Sequence, residues 1–535
     1  MNGSVRRRQV AIFLGVATLA AAAFVAVSVA GAASEDAERA LAGPPLVVNI
    51  GTGPATLDPR DATSFFDTLL VNFYVRLVTY GSKSGPNGTR QFDSTKIEPY
   101  LAKSWKVTNG GKTYTFKLRT GLRFPSGKPV DAAAVKWSFE RSQKGIGSYF
   151  IQNGIPGNLL SVAAPRPDTA VMTLKQPDPE ILQGWAQPAA SIVDRTVVEA
   201  KGDKYLGSAE AGAGPFSLVS YQPNQRLVMA TRPSYWSWIG KTAPASRITL
   251  NFVNSDSTLL LQARSGAADV TIGLSKRSVA SLRSNAAVKV IANPTAITEQ
   301  MLLPWDKPPF DNQRFRQALI SAVPYRDILS KVAYGYGRLF YGPLLPTMRF
   351  YNASLSAPVR FDLARAKQLI AQSGVQTPVN VQLTIDEGNA IHEQIATILQ
   401  GLWRQLGVNI TVQKLAPADY AGALFGNKVQ SAIRYDGPGV IDAGYYLGYD
   451  MRTQVVGIGK NISAMSMPGA DRLLDTARKS LNPAVRQKNY NAIARVWRVN
   501  SPKIVFYTDV ATTILSRRVK TFTYIHEPDM QTWGK

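Results

Sequence analysis

Hydrophobic and polar positions alternate most regularly across residues 103–124, which read KSWKVTNGGKTYTFKLRTGLRF. Trp105 and Val107 fall on one face of the first half, and Tyr114 and Phe116 fall on one face of the second half. An Asn-Gly-Gly sequence separates the two halves, and such sequences favour tight turns between antiparallel strands. The pattern therefore predicts a β-hairpin.

The hydrophobic spacing changes to a helical period directly after this hairpin. Asp131 is a preferred N-cap residue, and Val135 and Phe139 follow at i, i+4 spacing. A second hairpin is predicted with its turn at residues 223–224, and a Ser/Asp-capped helix is predicted to end near Gly266. Strands and helices thus alternate through the first half of the chain.

The second half has a different pattern. Pro-rich text at residues 298–309 leads into amphipathic helices that alternate with the strand-like sequences VNVQLTI and NITVQKL. This alternation is typical of an α/β unit. Residues 501–524 then return to strand-like text. The order predicts an α/β protein of two lobes, which the chain crosses more than once.

The N-terminus indicates export. Three arginines at residues 6–8 precede an apolar run over residues 10–30, and Ala30-Gly31-Ala32 offers a small-x-small cleavage site. This layout predicts a secretory signal over residues 1–33. The run is also long enough to span a bilayer, so an uncleaved membrane anchor stays open as an alternative. No cysteine follows the run, which excludes a bacterial lipoprotein.

Composition narrows the possible functions. The 535 residues contain no cysteine and only two histidines, His392 and His526. Disulfides and zinc–cysteine clusters are therefore excluded. The net charge of +25 is spread along the chain without a nucleic-acid recognition motif, so we expect a solvated basic surface and no nucleic-acid partner. We expect a monomer.

Catalytic motifs are incomplete. His392-Glu393 begins like a metalloprotease helix, but Ala396 stands where the second ligand belongs. No Gly-x-Ser-x-Gly elbow occurs in the sequence. Asp178 and Glu180 lie in Pro-rich text, and we expect both to be solvated. The sequence predicts a protein that is not an enzyme and that needs no cofactor or metal.

Several stretches together resemble one family. EPYLAKSWKVTNGGKTYTFKLRTGLRFPSGKPVDAAAVKWSFERS (98–142), GAGPFSLVSY with RPSYW, and PPFDNQRFRQALISAVPYRDIL (308–329) follow the family's motifs in order. The family is that of the extracytoplasmic solute-binding proteins of peptide-type ABC transporters, the dipeptide-, oligopeptide- and nickel-binding group called family 5. The likeness covers nearly the whole exported chain.

The resemblance implies a periplasmic-binding-protein type II fold. We expect lobe I at residues 44–300, with an extra subdomain at about 75–205, and lobe II at 301–499. Residues 500–535 are expected to return to lobe I, with a hinge between the lobes. A short peptide would be trapped when the lobes close and delivered to a membrane permease driven by a separate ATPase. Closure of this kind needs no reaction chemistry.

The resemblance also points to candidate ligand contacts. Peptide-binding relatives place an Asp against the ligand's amino terminus, and the matching text here is IRYDGPGVIDAGYYL. Asp436 and Asp442 occupy the two Asp positions, although Ile433 replaces a Trp and Ala443 replaces a Pro. Both carboxylates could instead cap the following turn. Tyr445 belongs to the same candidate segment.

Further candidates lie elsewhere in the chain. Arg338 and Arg349 flank LFYGPLLPTM, a cleft-facing loop in the family, and either could pair with a ligand carboxylate or remain solvated. Trp305, in the crossing segment, could stack on the ligand or pack in the core. Ser64 and Phe65 are expected to approach the cleft.

The leading hypothesis is a peptide-binding component of an ABC importer, located in the periplasm or on the outer face of the cytoplasmic membrane. A second hypothesis keeps the fold but changes the solute to a metal chelate, an oligosaccharide or an opine-like compound. A third is an extracellular sensor or adhesion protein that an uncleaved N-terminal helix tethers.

Overall fold

The computed structural model describes residues 43–62, 66–453, 461–467, 469–524 and 529–535. The predicted signal or anchor at residues 1–33 and the candidates Ser64 and Phe65 lie outside these ranges. Within them, no helix combines the length and the apolar character that a membrane crossing requires.

The strands form three sheets. The largest has ten strands in the order β14-β13-β15-β12-β16-β11-β1-β10-β9-β8, and the others have the orders β17-β3-β2 and β4-β5-β7-β6. The strand bounds are β1 Leu46–Ile50, β2 Val78–Ser84, β3 Arg90–Pro99, β4 Ala102–Thr108, β5 Thr113–Leu118, β6 Leu159–Arg166, β7 Thr169–Leu174, β8 Phe216–Gln222, β9 Arg226–Thr231, β10 Arg247–Phe252, β11 Val270–Ile272, β12 Val288–Leu302, β13 Val379–Asp386, β14 Val408–Leu415, β15 Ala432–Asp436, β16 Lys503–Ser516 and β17 Thr523–Tyr524.

The α-helices lie between these strands, and the last of them follow one another between β15 and β16. Their bounds are α1 Ala132–Ser142, α2 Ser148–Ile151, α3 Ile181–Trp185, α4 Arg195–Lys201, α5 Pro233–Ile239, α6 Asp256–Ser265, α7 Lys276–Ser281, α8 Gln313–Ser321, α9 Tyr325–Asp327, α10 Leu363–Ser373, α11 Ala390–Trp403, α12 Pro417–Phe425, α13 Ala443–Asp450, α14 Ala470–Lys479 and α15 Pro483–Asn500. Shorter 3-10 turns connect several of them.

Two long antiparallel strands, β12 and β16, join the two lobes. Their register runs from Val288 opposite Ser516 to Leu302 opposite Lys503, and it shifts between Pro294 and Thr298. Proline has no backbone N–H to donate, so a break in the ladder at this point is expected. β11 pairs with β16 on one side of the break, and β15 pairs with β12 on the other. The strands therefore change neighbours where the chain passes between lobes.

The second lobe contains the predicted α/β unit. β13 pairs with β14 in parallel over its full length, and α11 provides the crossover between them. This part of the structure confirms that helix and strand alternate here. The residue boundaries assigned to the lobes from the sequence stay a prediction.

The hairpin predicted from residues 103–124 is confirmed. β4 pairs with β5, and the turn between them places Asn109, Gly110 and Gly111 at positive φ. Glycine adopts that conformation without a steric penalty. Asp131 then caps α1 by accepting a hydrogen bond from the Ala134 N–H.

The other local predictions are confirmed as well. β8 and β9 form the second hairpin, and Ser255 caps α6, which ends before Gly266 in the left-handed conformation. In the four-stranded sheet, the hairpin packs against Trp185, whose ring lies edge-on to Tyr114 at 5.2 Å. The hairpin is a structural element and not part of the candidate site.

A matched pair of leucines tests this assignment. Leu118 in β5 is buried, whereas Leu160 in β6 of the same sheet is 59% exposed. Leu118→Ala is expected to lower the free energy of unfolding by about 2–5 kcal/mol, because it removes buried methyl groups and leaves a cavity. Leu160→Ala should cost less than about 0.5 kcal/mol. Urea denaturation measures both, and equal losses would contradict the assigned core.

Candidate functional site

A cavity of about 360 Å³ lies between the lobes, next to the break in the β12–β16 ladder. Ile272 and Trp533 line one side, while Ile391 and Tyr435 line the other, and most of the wall is hydrocarbon. The volume lies at the lower end of the range for small-molecule pockets. The cavity suits a small ligand with an apolar body.

Tyr435 is placed to contact such a ligand. It lies in β15, and its side chain is 52% exposed although the residue lines the cavity. Its hydroxyl donates a hydrogen bond to Oδ2 of Asp509 at 3.0 Å. The hydrogen bond fixes one end of the ring and leaves the face of the ring accessible.

Asp509 is the one carboxylate among the described residues that line the cavity. It lies in the crossing strand β16 and is 8% exposed. Nζ of Lys276, at the start of α7, lies 2.9 Å from its Oδ1, while the ammonium donates a hydrogen bond to the Val510 carbonyl at 2.6 Å. The cavity thus holds one acidic and one basic group side by side.

Asp436 lies behind this surface. Its carboxylate forms an ion pair with Arg434 and accepts a hydrogen bond from Nε2 of Gln300 at 3.0 Å. Tyr435 and Asp436 are neighbours in one strand, so their side chains point to opposite faces of the sheet. Since Tyr435 faces the cavity, Asp436 faces away from it. Its role as a ligand contact stays a prediction.

A second polar region joins the lobes at another place. We call Asp178, Glu180, Asp442, Arg478 and Arg486 the carboxylate–arginine cluster. All five side chains are buried. The first two precede α3 beside the four-stranded sheet, Asp442 is the N-cap residue of α13, and the two arginines lie in α14 and α15.

Ion pairs and hydrogen bonds connect the members of this cluster across the lobes. Arg486 pairs closely with Glu180, and Arg478 lies 3.7 Å from Asp178. Arg478 also donates to the Asn153 carbonyl at 2.6 Å. The expectation that Asp178 and Glu180 are solvated is wrong, because folding brings arginines from distant helices against both carboxylates.

Three predicted site residues lie at this cluster. Asp442 accepts a hydrogen bond from the Tyr445 N–H and so caps α13. The Tyr445 ring lies edge-on to Tyr149 at 5.4 Å. Arg349 is exposed, and its Nη1 lies 3.2 Å from Oε1 of Glu180. The structure therefore gathers Asp442, Tyr445 and Arg349 at the interface between lobes, beside the cluster.

Two other candidates lie apart from both places. The Trp305 ring stacks against the Arg316 guanidinium, 4.0 Å away. The backbone of Arg338 exchanges two hydrogen bonds with Thr508, the residue before Asp509, and its guanidinium lies over Tyr351 at 5.9 Å. Arg338 therefore contacts the crossing strand β16 and Trp305 does not take part in that contact, and a ligand contact by either residue stays a prediction.

In the part of the chain that the structure describes, the side chains form no metal-binding site. No group of three or more His, Asp or Glu residues there is placed to hold an ion. His392, the first residue of the incomplete metalloprotease motif, lies with Nε2 at 3.1 Å from Oε1 of Glu299. This histidine is buried in a polar contact beneath the crossing strand.

A family model described as "Bacterial extracellular solute-binding proteins, family 5 Middle" matches residues 96–455. The chain belongs to this family. It is also 26% identical, over 90% of its own length and 91% of the relative's, to the probable D,D-dipeptide-binding periplasmic protein DdpA of Escherichia coli K12. The resemblance stated from the motifs is confirmed.

Solved structures establish the fold of this family 5 protein. The periplasmic binding protein DppA of Helicobacter pylori, in complex with the peptide STSA, matches with a TM-score of 0.78 at 20% identity, over 94% of this chain and 99% of that one. AgaA from A. tumefaciens R10, in complex with agropinic acid, matches with a TM-score of 0.74 at 21% identity, over 90% and 94%. The two-lobed type II fold is confirmed.

Sequence reasoning missed the residues of the cavity itself. Asp509 carried a signal, since it is the only acidic residue in the apolar strand from Lys503 to Ser516. Tyr435 stands next to the predicted Asp436 and could have been named with it. Ile272 and Trp533, by contrast, lie 261 residues apart by number and meet only in the folded chain.

The carboxylate–arginine cluster of this family 5 protein predicts a dependence of stability on pH. Burial raises the pKa of Asp178 to about 6 from an ordinary value of 3.8; the Arg478 guanidinium opposes the shift and the Asp442 carboxylate adds to it. A carboxyl with a raised pKa stabilises the folded state while protonated. That contribution is lost as pH rises from about 4 to about 6, by about 3 kcal/mol.

Asp178→Asn removes this titration. The free energy of unfolding of the variant minus that of the natural protein should increase by about 3 kcal/mol between pH 4 and pH 7, because only the natural protein loses stability over this range. Chemical denaturation across that range measures the difference. Asp419→Asn, at an exposed position on α12, is the control and should run parallel to the natural protein. Parallel curves for Asp178→Asn would contradict the raised pKa.

Proposed function

We propose that this family 5 protein is the extracytoplasmic component of an ABC importer and that it captures short peptides in the cavity between its lobes. The observation that carries the proposal is the half-exposed Tyr435 ring beside the Asp509–Lys276 pair. Residues of both lobes surround this place. A ligand bound here contacts both lobes at once and so favours their closure.

The chemistry of the cavity supports a peptide. Short peptides carry an ammonium group, a carboxylate and variable side chains, and the cavity offers a carboxylate, an ammonium group and apolar walls. The name of the E. coli relative, a probable D,D-dipeptide-binding protein, points in the same direction. The volume of about 360 Å³ favours a peptide of very few residues.

A second candidate is an opine-like compound. AgaA has the same fold and is described in complex with agropinic acid. Such a ligand also combines charged groups with a compact body, so the Asp509–Lys276 pair would suit it. A short peptide differs from an opine-like compound because it contains a second amino-acid residue joined through a peptide bond.

Delivery of the ligand completes the proposal. Membership of the family supports a partner permease and an ATPase subunit, and the names of relatives support a location in the periplasm or on the outer face of the cytoplasmic membrane. Protein that carries bound ligand would present both lobes in a fixed relation to the permease. We propose a monomer as the working unit.

Native mass spectrometry tests ligand capture directly. Protein purified without denaturation is expected to carry a bound mass that is lost on unfolding, because closure between the lobes slows release. Tandem mass spectrometry of the released molecule distinguishes a peptide from an opine-like compound. Recovery of only empty protein, together with no stabilisation by any short peptide in a thermal-shift series, would contradict the proposal.

A pair of tyrosine variants locates the site. Tyr435→Ala removes a ring that faces the cavity, and we expect the affinity for the identified ligand to fall about tenfold. Tyr205→Ala, on the surface at residues 203–207, is the matched control and should leave the affinity unchanged. Isothermal titration calorimetry measures both. Equal affinities for the two variants would place the ligand elsewhere.

A further inference from the structure

The carboxylate–arginine cluster joins the lobes away from the strands that connect them. None of its five residues belongs to β12 or β16, and none lines the cavity beside the break in those strands. Rotation of the lobes about that break therefore has to separate the two halves of the cluster. The cluster is placed to control how easily the lobes open.

The two halves of the cluster are held together by direct contacts between protein atoms. Glu180 and Arg486 form an ion pair although they are 306 positions apart in the chain. Asn153 adds a bridge, because its side-chain amide lies 3.1 Å from Oδ2 of Asp178 and 3.4 Å from Oδ1 of Asp442. Each of these contacts connects the region around the four-stranded sheet with the helices of the second lobe.

Apolar contacts accompany the ion pairs. Leu481, in the turn between α14 and α15, lies against Gly111 in the hairpin turn, where a Cβ would come within 2.7 Å of the leucine Cδ2. Gly439, between β15 and α13, leaves the same kind of space for the Phe150 ring of α2. Glycine permits both close approaches because it has no side chain. The contact between the lobes therefore includes apolar packing as well as ion pairs.

The cluster is a poor site for a solute. Arg486 already pairs with Glu180, and Arg478 lies 3.7 Å from Asp178. All four side chains are buried, so a charged solute would have to displace a protein partner from one of them and leave that partner buried alone. The charges therefore serve the contact between the lobes.

Loss of one partner would be costly while the lobes are closed. The side chains of Glu180 and Arg486 are almost fully buried, and a buried charge without its partner is strongly unfavourable. Opening relieves this cost, because water then solvates the remaining charge. A substitution that leaves one member of the pair alone should therefore shift the lobes from the closed to the open arrangement.

We infer that the carboxylate–arginine cluster, together with the Leu481–Gly111 contact, is a latch that holds the two lobes closed whether or not a solute is bound. The inference goes beyond the proposed function, because it concerns contacts of the protein with itself. A solute then enters or leaves only after these contacts have broken.

The sequence contains no cysteine, so introduced cysteines can be labelled specifically. Lys106→Cys in β4 and Lys488→Cys in α15, both at exposed positions, place one spin label on each side of the latch. Double electron–electron resonance on the full exported chain gives the distances between the labels, and native mass spectrometry confirms that the sample carries no solute. The intact latch is expected to give mainly one short distance.

Arg486→Met breaks the latch, because it leaves Glu180 buried without its closest partner. We expect the ratio of long to short distances to rise at least about tenfold. Arg141→Met is the matched control: it removes another buried arginine, but from an ion pair with Asp58 inside the predicted lobe I, and it should leave the distances unchanged. Identical distance distributions for Arg486→Met and the intact latch would overturn the inference.

Glu180→Gln gives an independent result if Arg486→Met does not fold. The substitution keeps the shape of the side chain and removes the charge that faces Arg486, so the long distance should again gain population. Thermal unfolding shows whether each variant is folded. Small-angle X-ray scattering without labels should give a larger radius of gyration for the folded variants than for the natural protein. Unchanged distances with an unchanged radius of gyration would contradict the latch.

The outcomes separate this inference from the proposed function. The distances are measured without a solute, so an open arrangement of the natural protein would overturn the latch and leave peptide capture standing. Variants that open as expected, in a protein that binds no short peptide, would support the latch and contradict the proposed function alone.

Discussion

The pairing of β12 with β16 is the interaction on which the rest of this structure depends. The two strands run antiparallel through the ten-stranded sheet and carry the chain between the lobes. Their register is broken between Pro294 and Thr298 and shifts again between Glu299 and Gln300. Because a regular ladder is stiff and a break is compliant, relative motion of the lobes is expected to concentrate there. The cavity proposed to bind the ligand lies at the same place.

The location of the cavity follows from this break. Thr295 is within the interrupted stretch, and its hydroxyl donates to the Asp509 carbonyl at 2.8 Å. A side chain thus bonds to the backbone of the partner strand here, and both Thr295 and Asp509 line the cavity. A ligand at this point would be held by both strands, so its binding energy acts directly on the hinge.

The carboxylate–arginine cluster is a second connection between the lobes. Its contribution is the difference between the attraction of opposite charges and the cost of removing them from water. Asp178, Glu180 and Asp442 are buried with Arg478 and Arg486. Removing such charges from water costs free energy that their mutual attraction offsets only in good geometry. The cluster is therefore better suited to fix the relative position of the lobes than to add much stability. Because these charged groups contact one another only when the lobes are in contact, they make the contact between the lobes specific.

Local sequence patterns were sufficient for the hairpins and the helix caps. Asn109-Gly110-Gly111, Asp131 and Ser255 act on neighbours within a few residues, so their effects can be predicted without the fold. The family motifs were sufficient for the two-lobed architecture. They carried no information on which carboxylate faces the cavity, because strand alternation and the register of β15 decide that Tyr435 points inward.

The burial of Asp178 and Glu180 lay beyond sequence reasoning for a similar reason. Their arginine partners follow about 300 residues later, on helices α14 and α15. Asp509 is the one acidic residue of an apolar strand, but only the fold brings it into contact with Lys276 and Tyr435. Long-range contacts of this kind arise from the packing of the lobes and not from local pattern.

The central claim is that the ligand is held between the lobes at the break in the crossing strands. A crystal structure of the protein with its co-purified solute tests it most directly. The account predicts electron density for the solute in the cavity beside Tyr435 and Asp509, in contact with residues of both lobes. Density at another position, with this cavity filled only by water, would contradict it.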